Sequence, residues 1–83
     1  MTSKLKMSLY QISRAQHLEW AKARALEYVE LGQLRYALNS TVSDLRKHPE
    51  TENHLAIQLG YNLWVAGHLQ TSEQMRAFIN KTN

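Results

Sequence analysis

Apolar residues recur at spacings of three and four in four stretches separated by recognisable stop signals, a pattern that predicts an all-helical chain. The first stretch begins near Ser13, where Ser13 and Gln16 have capping-box spacing, and runs through HLEWAKARALEYVEL to Gly32. Leu18, Ala21, Ala25 and Val29 form its inward stripe, while Glu19, Lys22, Arg24, Glu27 and Glu30 fill much of a solvated face. The second, QLRYALNSTVSDLRKH, sets Leu34, Ala37, Leu38, Val42 and Leu45 at helical spacing and meets Pro49, which puts His48 outside the helix.

Glu50 or Thr51 opens the third stretch. In HLAIQLGYNLWVAGHL, the residues Leu55, Ile57, Leu59, Leu63, Trp64, Val65 and Ala66 lie almost all round the helix, predicting a central, mostly buried element. Gly60 in its middle costs roughly 1 kcal/mol relative to Ala in an exposed helix, so a close approach by another helix is expected there. Gly67 ends this helix, Thr71 and Gln74 repeat the capping-box spacing, and Met75, Phe78 and Ile79 anchor a short last helix.

The expected organisation is a compact all-α bundle of four helices: an N-terminal arm over residues 1–12, a single helical domain over 13–80, and a frayed C-terminus over 81–83. Within the arm, Leu5, Met7 and Leu9 alternate with Lys4, Lys6 and Ser8. Residues 4–10 therefore read as a packed arm, an early helical turn or a strand completed across a dimer.

Composition narrows the function classes. The 83 residues support one core, with an unfolding free energy of about 4 to 12 kcal/mol by per-residue scaling. An enzyme with separate cofactor and substrate domains is thereby excluded. Without Cys there is no disulfide framework, thiolate zinc site, iron–sulfur cluster or cysteine nucleophile. The start MTSKLKMSLY lacks a secretory apolar run, and nowhere are there the ~20 apolar residues that span a bilayer, so a cytoplasmic protein is expected. The net charge of +3 and pI of 9.5 come from cations spread between Lys4 and Lys81, without a block of like charge.

Four histidines, His17, His48, His54 and His68, raise metal binding, with Asp44, Glu50 and Glu52 nearby. No two histidines are four apart, as a helical zinc pair requires, so no metal is expected. Ser43, Asp44, His48 and His54 supply the residue types of nucleophilic catalysis, yet they crowd one interhelix turn without a G-x-S-x-G elbow or a Gly-rich phosphate loop. No catalytic residue and no cofactor is expected, and the chain does not read as an enzyme. Asp44, His48, Pro49, Thr51 and His54 are assigned instead to the architecture of the turn, with Thr51 capping the third helix and the histidines satisfying backbone groups.

Tyr28, Gly32, Ala37 and Pro49 resemble part of a tetratricopeptide unit, but one unit is not an array, and residues 13–48 read as an antiparallel helical hairpin. Two surface readings remain. Trp20 lies off the inward stripe and near Arg24, and Trp and Arg are typical anchors of protein interfaces, which makes these two the leading partner contact; Arg35 and Tyr36 form a second patch. Alternatively, Arg35, Arg46 and Lys47 join Lys4 and Lys6 in a phosphate-binding patch, the mark of a small basic DNA- or RNA-binding regulator, with a homodimer through residues 4–10 compatible with it.

The segment S-D-L-R-K-H-P-E-T at 43–51, followed by His54, L-G at 59–60, G-H-L at 67–69, Thr71 and M-R-x-F-I at 75–79, resembles small proteins of bacteriophages and prophages that carry S-D-L-x-K-H-P-E-T and a following His. The resemblance covers residues 18–80. Where members often finish Gly-Phe-Asn, this chain has Lys81, Thr82 and Asn83. The resemblance implies an accessory protein acting in the host cytoplasm by occupying a bacterial host protein or nuclease complex. Its sharpest form is an inhibitor of a defence system such as CRISPR interference.

Overall fold

A computed structural model describes residues 12–83. The N-terminal arm and the alternation over 4–10 lie outside the described residues, apart from Ile12 at the arm's end.

Four helices follow in order: α1 (Arg14–Glu30), α2 (Leu34–Leu45), α3 (Leu55–Val65) and α4 (Ser72–Asn80). Local chemistry sets their limits. Ser13 caps α1 and Thr71 caps α4, each in a capping box completed by the Gln three residues on. At the C-termini of α1 and α3, the Gly32 amide donates to the Val29 carbonyl and the Gln33 amide to Tyr28, while Gly67 and His68 repeat the arrangement on Trp64 and Leu63. These are paired Schellman closures, and they need the left-handed φ of +72° at Gly32 and +82° at Gly67 that glycine adopts without strain.

α1 and α2 form the expected antiparallel hairpin, with Tyr28 against Tyr36 near the turn and His17 against His48 at the far end. α4 lies across both helices, and α3 packs chiefly on α2. The core holds Leu18, Ala21, Ala25 and Val29 of α1, Ala37, Leu38, Val42 and Leu45 of α2, and Met75, Phe78 and Ile79 of α4. Gly60 seats α3: a Cβ there would lie 2.8 Å from Leu38 Cδ1 and 3.0 Å from Phe78 Cζ.

Three expectations need correction. α3 is not central: only Ala56, Ile57 and Gly60 are buried on it, while Leu55, Leu59, Tyr61 and Val65 face outward. One side touches α2 and Phe78, while Leu55 and Leu59, though exposed, line a shallow cleft with Lys81 at the end of α4. Second, Thr51 does not cap α3. The helix starts later, with His54 as its cap, its Nδ1 accepting from the Ala56 amide at 2.9 Å. Thr51 is fully buried and donates from Oγ1 to the Leu45 carbonyl at 2.5 Å, closing the end of α2 instead. Third, residues 81–83 are tied down: Thr82 is buried and donates to the Phe78 carbonyl, and the Asn83 carbonyl accepts from Arg14 and His54.

Candidate binding face on α1 and α2

The site is built on a carboxylate that the sequence places in a turn. Asp44, one residue before the end of α2, is 1% exposed, yet its two oxygens hold two cations: Oδ2 accepts from Arg24 Nε at 2.7 Å and Oδ1 from Lys47 Nζ at 2.9 Å. The Ser40 hydroxyl lies 3.4 Å from Oδ2. A buried carboxylate persists only when paired and hydrogen-bonded, and Asp44 is both. The hydrogen bond to Asp44, and then its charge, push the Arg24 guanidinium further above its ordinary pKa.

Those cations converge on Trp20. The Arg24 guanidinium lies 5.0 Å and the Lys47 ammonium 5.5 Å from the ring centroid, within cation–π range. Trp20 remains 41% exposed. Beside it are two buried histidines, with His17 5.3 Å from the Trp20 ring and 5.1 Å from His48. A carbonyl only accepts, so His17 Nε2 donates to the Asp44 carbonyl at 2.5 Å and His48 Nε2 donates to the Ile12 carbonyl at 2.6 Å. His48 Nδ1 then accepts the Glu50 amide, while the buried Nδ1 of His17 has no hydrogen-bond partner among the described residues.

Thr51 donates its amide to the His48 carbonyl across Pro49, the position at which a proline presets a turn. His48 and His54 both satisfy backbone groups, His54 also donating to the Asn83 carbonyl at 2.7 Å. Asp44 has a second role that sequence reasoning missed, as the anchor of the Trp20 cluster, and Lys47 was missed as a member of it.

Trp20 and Arg24 are thus brought together. Tyr36, 61% exposed, stacks at 6.0 Å on Tyr28, which lies one turn beyond Arg24 on α1. The two sequence-predicted patches therefore join through Tyr28 into one strip across the hairpin, with Arg35 exposed at its end. Other cations are engaged elsewhere: Arg14 and Lys22 donate to the carbonyls of Asn83 and Asn80, and Arg76 pairs with Glu30 at 3.3 Å. Among the described residues no three His, Asp or Glu side chains gather to hold a metal ion, and no helix is long and apolar enough to cross a membrane.

No protein-family model, curated protein or solved structure matches the chain.

Proposed function

We propose that this chain is a stoichiometric binding protein that occupies a protein partner through the strip running from Trp20, Arg24 and Lys47 to Tyr36 and Arg35, without turnover. One observation carries the reading: an exposed tryptophan whose two flanking cations are both fixed by a single buried carboxylate. Such a ring is ordered before any partner arrives, so less side-chain freedom is lost on binding. Trp, Tyr and Arg are also the residue types that dominate binding energy at protein interfaces.

The resemblance of the 43–51 segment to phage proteins makes a bacterial host protein the proposed partner, with a defence nuclease complex as the leading case and the host cytoplasm as the place of action. A nucleic-acid partner is less favoured. The cations nearest Trp20 already share Asp44, which leaves less charge for the clustered phosphate contacts that DNA or RNA binding requires.

The test is capture of partners from bacterial lysate, with and without nuclease, by the tagged full chain and by Trp20→Ala and Tyr36→Ala variants. A nuclease-resistant protein recovered at fixed stoichiometry is expected. Trp20→Ala should weaken its binding by about 2 kcal/mol or more, roughly 30-fold, with helicity unchanged. Nucleic acid recovered alone and lost in salt would overturn the reading. Arg24→Glu is a poor probe, because it sets a second carboxylate against buried Asp44 and disturbs fold and face together.

A further inference from the structure

The least explained surface of the molecule lies where α3 meets α4. A cleft of about 300 Å³ is lined there by Leu63, Leu69, Ala77 and Phe78. A second, of about 200 Å³, opens at the N-terminal end of α3 between Leu55 and Asn83. The two share Leu59, Phe78 and Lys81, so they form one trough along α3, and among the described residues no Asp or Glu side chain lines it. Leu55 is 78% and Leu59 44% exposed on its wall. A domain commonly carries a small apolar cluster of this kind, apart from its main core, beneath a segment of its own chain.

The chain enters α1 beside this trough. The Ile12 carbonyl accepts from His48 Nε2 at 2.6 Å, and Arg14 Nη2, two residues on, donates at 3.0 Å to the carbonyl of Asn83 at the trough's end. Residues 1–11 therefore begin within about the reach of one arginine side chain of the trough. They contain no acid, and in them Leu5, Met7 and Leu9 alternate with Lys4, Lys6 and Ser8. The stretch from Leu5 to Ile12 spans up to about 25 Å when extended, against about 12 Å of α3 from Leu55 to Leu63. It is long enough to run the length of the trough.

We infer that residues 1–11 of this same chain cover the trough between α3 and α4, with Leu5, Met7 and Leu9 against Leu55, Leu59 and Phe78 and with Lys4 and Lys6 on the water side. Tethering selects this occupant over a foreign one: a segment joined to the domain at the mouth of its site has an effective concentration there of about mM, so contacts too few to hold a free peptide suffice. Lys81 on the trough does not oppose it. Alternation sets Lys4 and Lys6 on the face away from the apolar contacts, in water where charges are screened over about 8 Å at physiological salt.

The other exposed surface near Ile12 suits the segment less. His48 leads through His17 to Trp20, but that ring is already flanked by Arg24 and Lys47, two cations that a segment bearing Lys4 and Lys6 meets unfavourably. A covered trough thus leaves the Trp20 strip free, and the inference does not rest on the reading of that strip. Tyr61 and Val65 line neither cleft and stay outside the covered part of α3.

The test is nuclear magnetic resonance of the full chain carrying a nitroxide on Lys6→Cys, a unique thiol because the sequence has no Cys. Signal loss at the amides of Leu55, Leu59, Ala77 and Lys81 should exceed that at Trp20, Arg24 and Tyr36 severalfold. It should fall away when Leu5→Asp and Leu9→Asp are combined with the tag, with the helical signals otherwise unchanged. In a mixture of tagged, isotope-free chain with untagged, labelled chain, the same amides should keep their intensity. Loss greatest around Trp20, or none that distinguishes the two regions, overturns the inference on the tagged chain alone. Loss that persists with both Asp substitutions overturns the assigned contacts, and loss carried into the mixture assigns the trough to a second copy and overturns the inference as well.

Discussion

The Trp20 strip and the outer side of α3 both expose large hydrophobic side chains, but only the first is organised from within. Around Trp20, the exposed groups connect to something buried: Arg24 and Lys47 to Asp44, and the ring itself to His17. On α3 Leu55 and Leu59 lie beside Lys81 but no buried charge fixes them, and the helix is held by its opposite side, where Gly60 lets Leu38 and Phe78 come close. An anchored aromatic surrounded by fixed charge is suited to a chemically distinct partner, whereas the outer side of α3 carries no such anchor. Exposure alone does not distinguish the two; what lies beneath the exposed residues does.

The largest effect is expected where the comparison rests on a buried charge. Replacing Arg24 and Lys47 together by Ala leaves the Asp44 carboxylate buried with only the distant Ser40 hydroxyl, and an unpaired buried charge is among the most destabilising changes a core sustains. The double variant should lose more thermal stability than Thr51→Val or Gly60→Ala, whereas either single variant, keeping one cation on Asp44, should lose far less than the double. Thermal unfolding followed by circular dichroism measures both. Additive single losses would mean that Asp44 reaches water and that the Trp20 cluster is not internally fixed.

Thr51→Val ranks next. Thr51 is fully buried, and Val keeps its shape while removing the hydroxyl that donates to the Leu45 carbonyl. Leaving that acceptor unsatisfied should cost about 1 to 3 kcal/mol in urea unfolding. A neutral result would show that this carbonyl is solvated and that the turn is not what closes α2.

Much of the fold was legible because its signals are local. The capping boxes at Ser13 and Thr71, the glycine stops at 32 and 67, and the inward stripe of α1 each depend on residues within one or two turns of one another. α3 defeated the same reasoning because a helix apolar all round looks alike whether its second face meets the core or a partner, and hydrophobic periodicity carries no address. The binding strip was half legible. Trp20 stood out by falling off the stripe, and Lys47 was within reach of inference, being three residues from Asp44 on the same segment. The link from Arg24 to Asp44 needs the hairpin, which lays α2 back along α1 and lets the long Arg24 side chain reach Asp44, a pairing that no local motif announces.

On the inner side of α3, Gly60→Ala should be mildly destabilising. The added Cβ meets Leu38 Cδ1 at 2.8 Å and Phe78 Cζ at 3.0 Å, both ends of side chains that can give way. Overpacking of roughly 1 to 3 kcal/mol is partly offset by the helix preference of Ala over Gly, roughly 1 kcal/mol, which leaves a net loss of about 1 kcal/mol in denaturant unfolding. A gain in stability would mean that α3 sits further from the core than Gly60 implies, and the contrast between its two sides would weaken.

The smallest effect is the most informative about the outer side. Val65 is 86% exposed and is the last residue of α3, so Val65→Lys removes almost no buried surface from the monomer. Lys is a better helix former than Val, and a cation in the last turn meets the negative end of the helix dipole. The variant should match the wild type or exceed it by a few tenths of a kcal/mol, within the usual range of about ±0.5 kcal/mol for exposed substitutions. A loss of more than about 1 kcal/mol would mean that Val65 is covered within the chain. The outer side of α3 would then be part of a core, as its apolar pattern first predicts, and the distinction between an anchored face and an open one would fail.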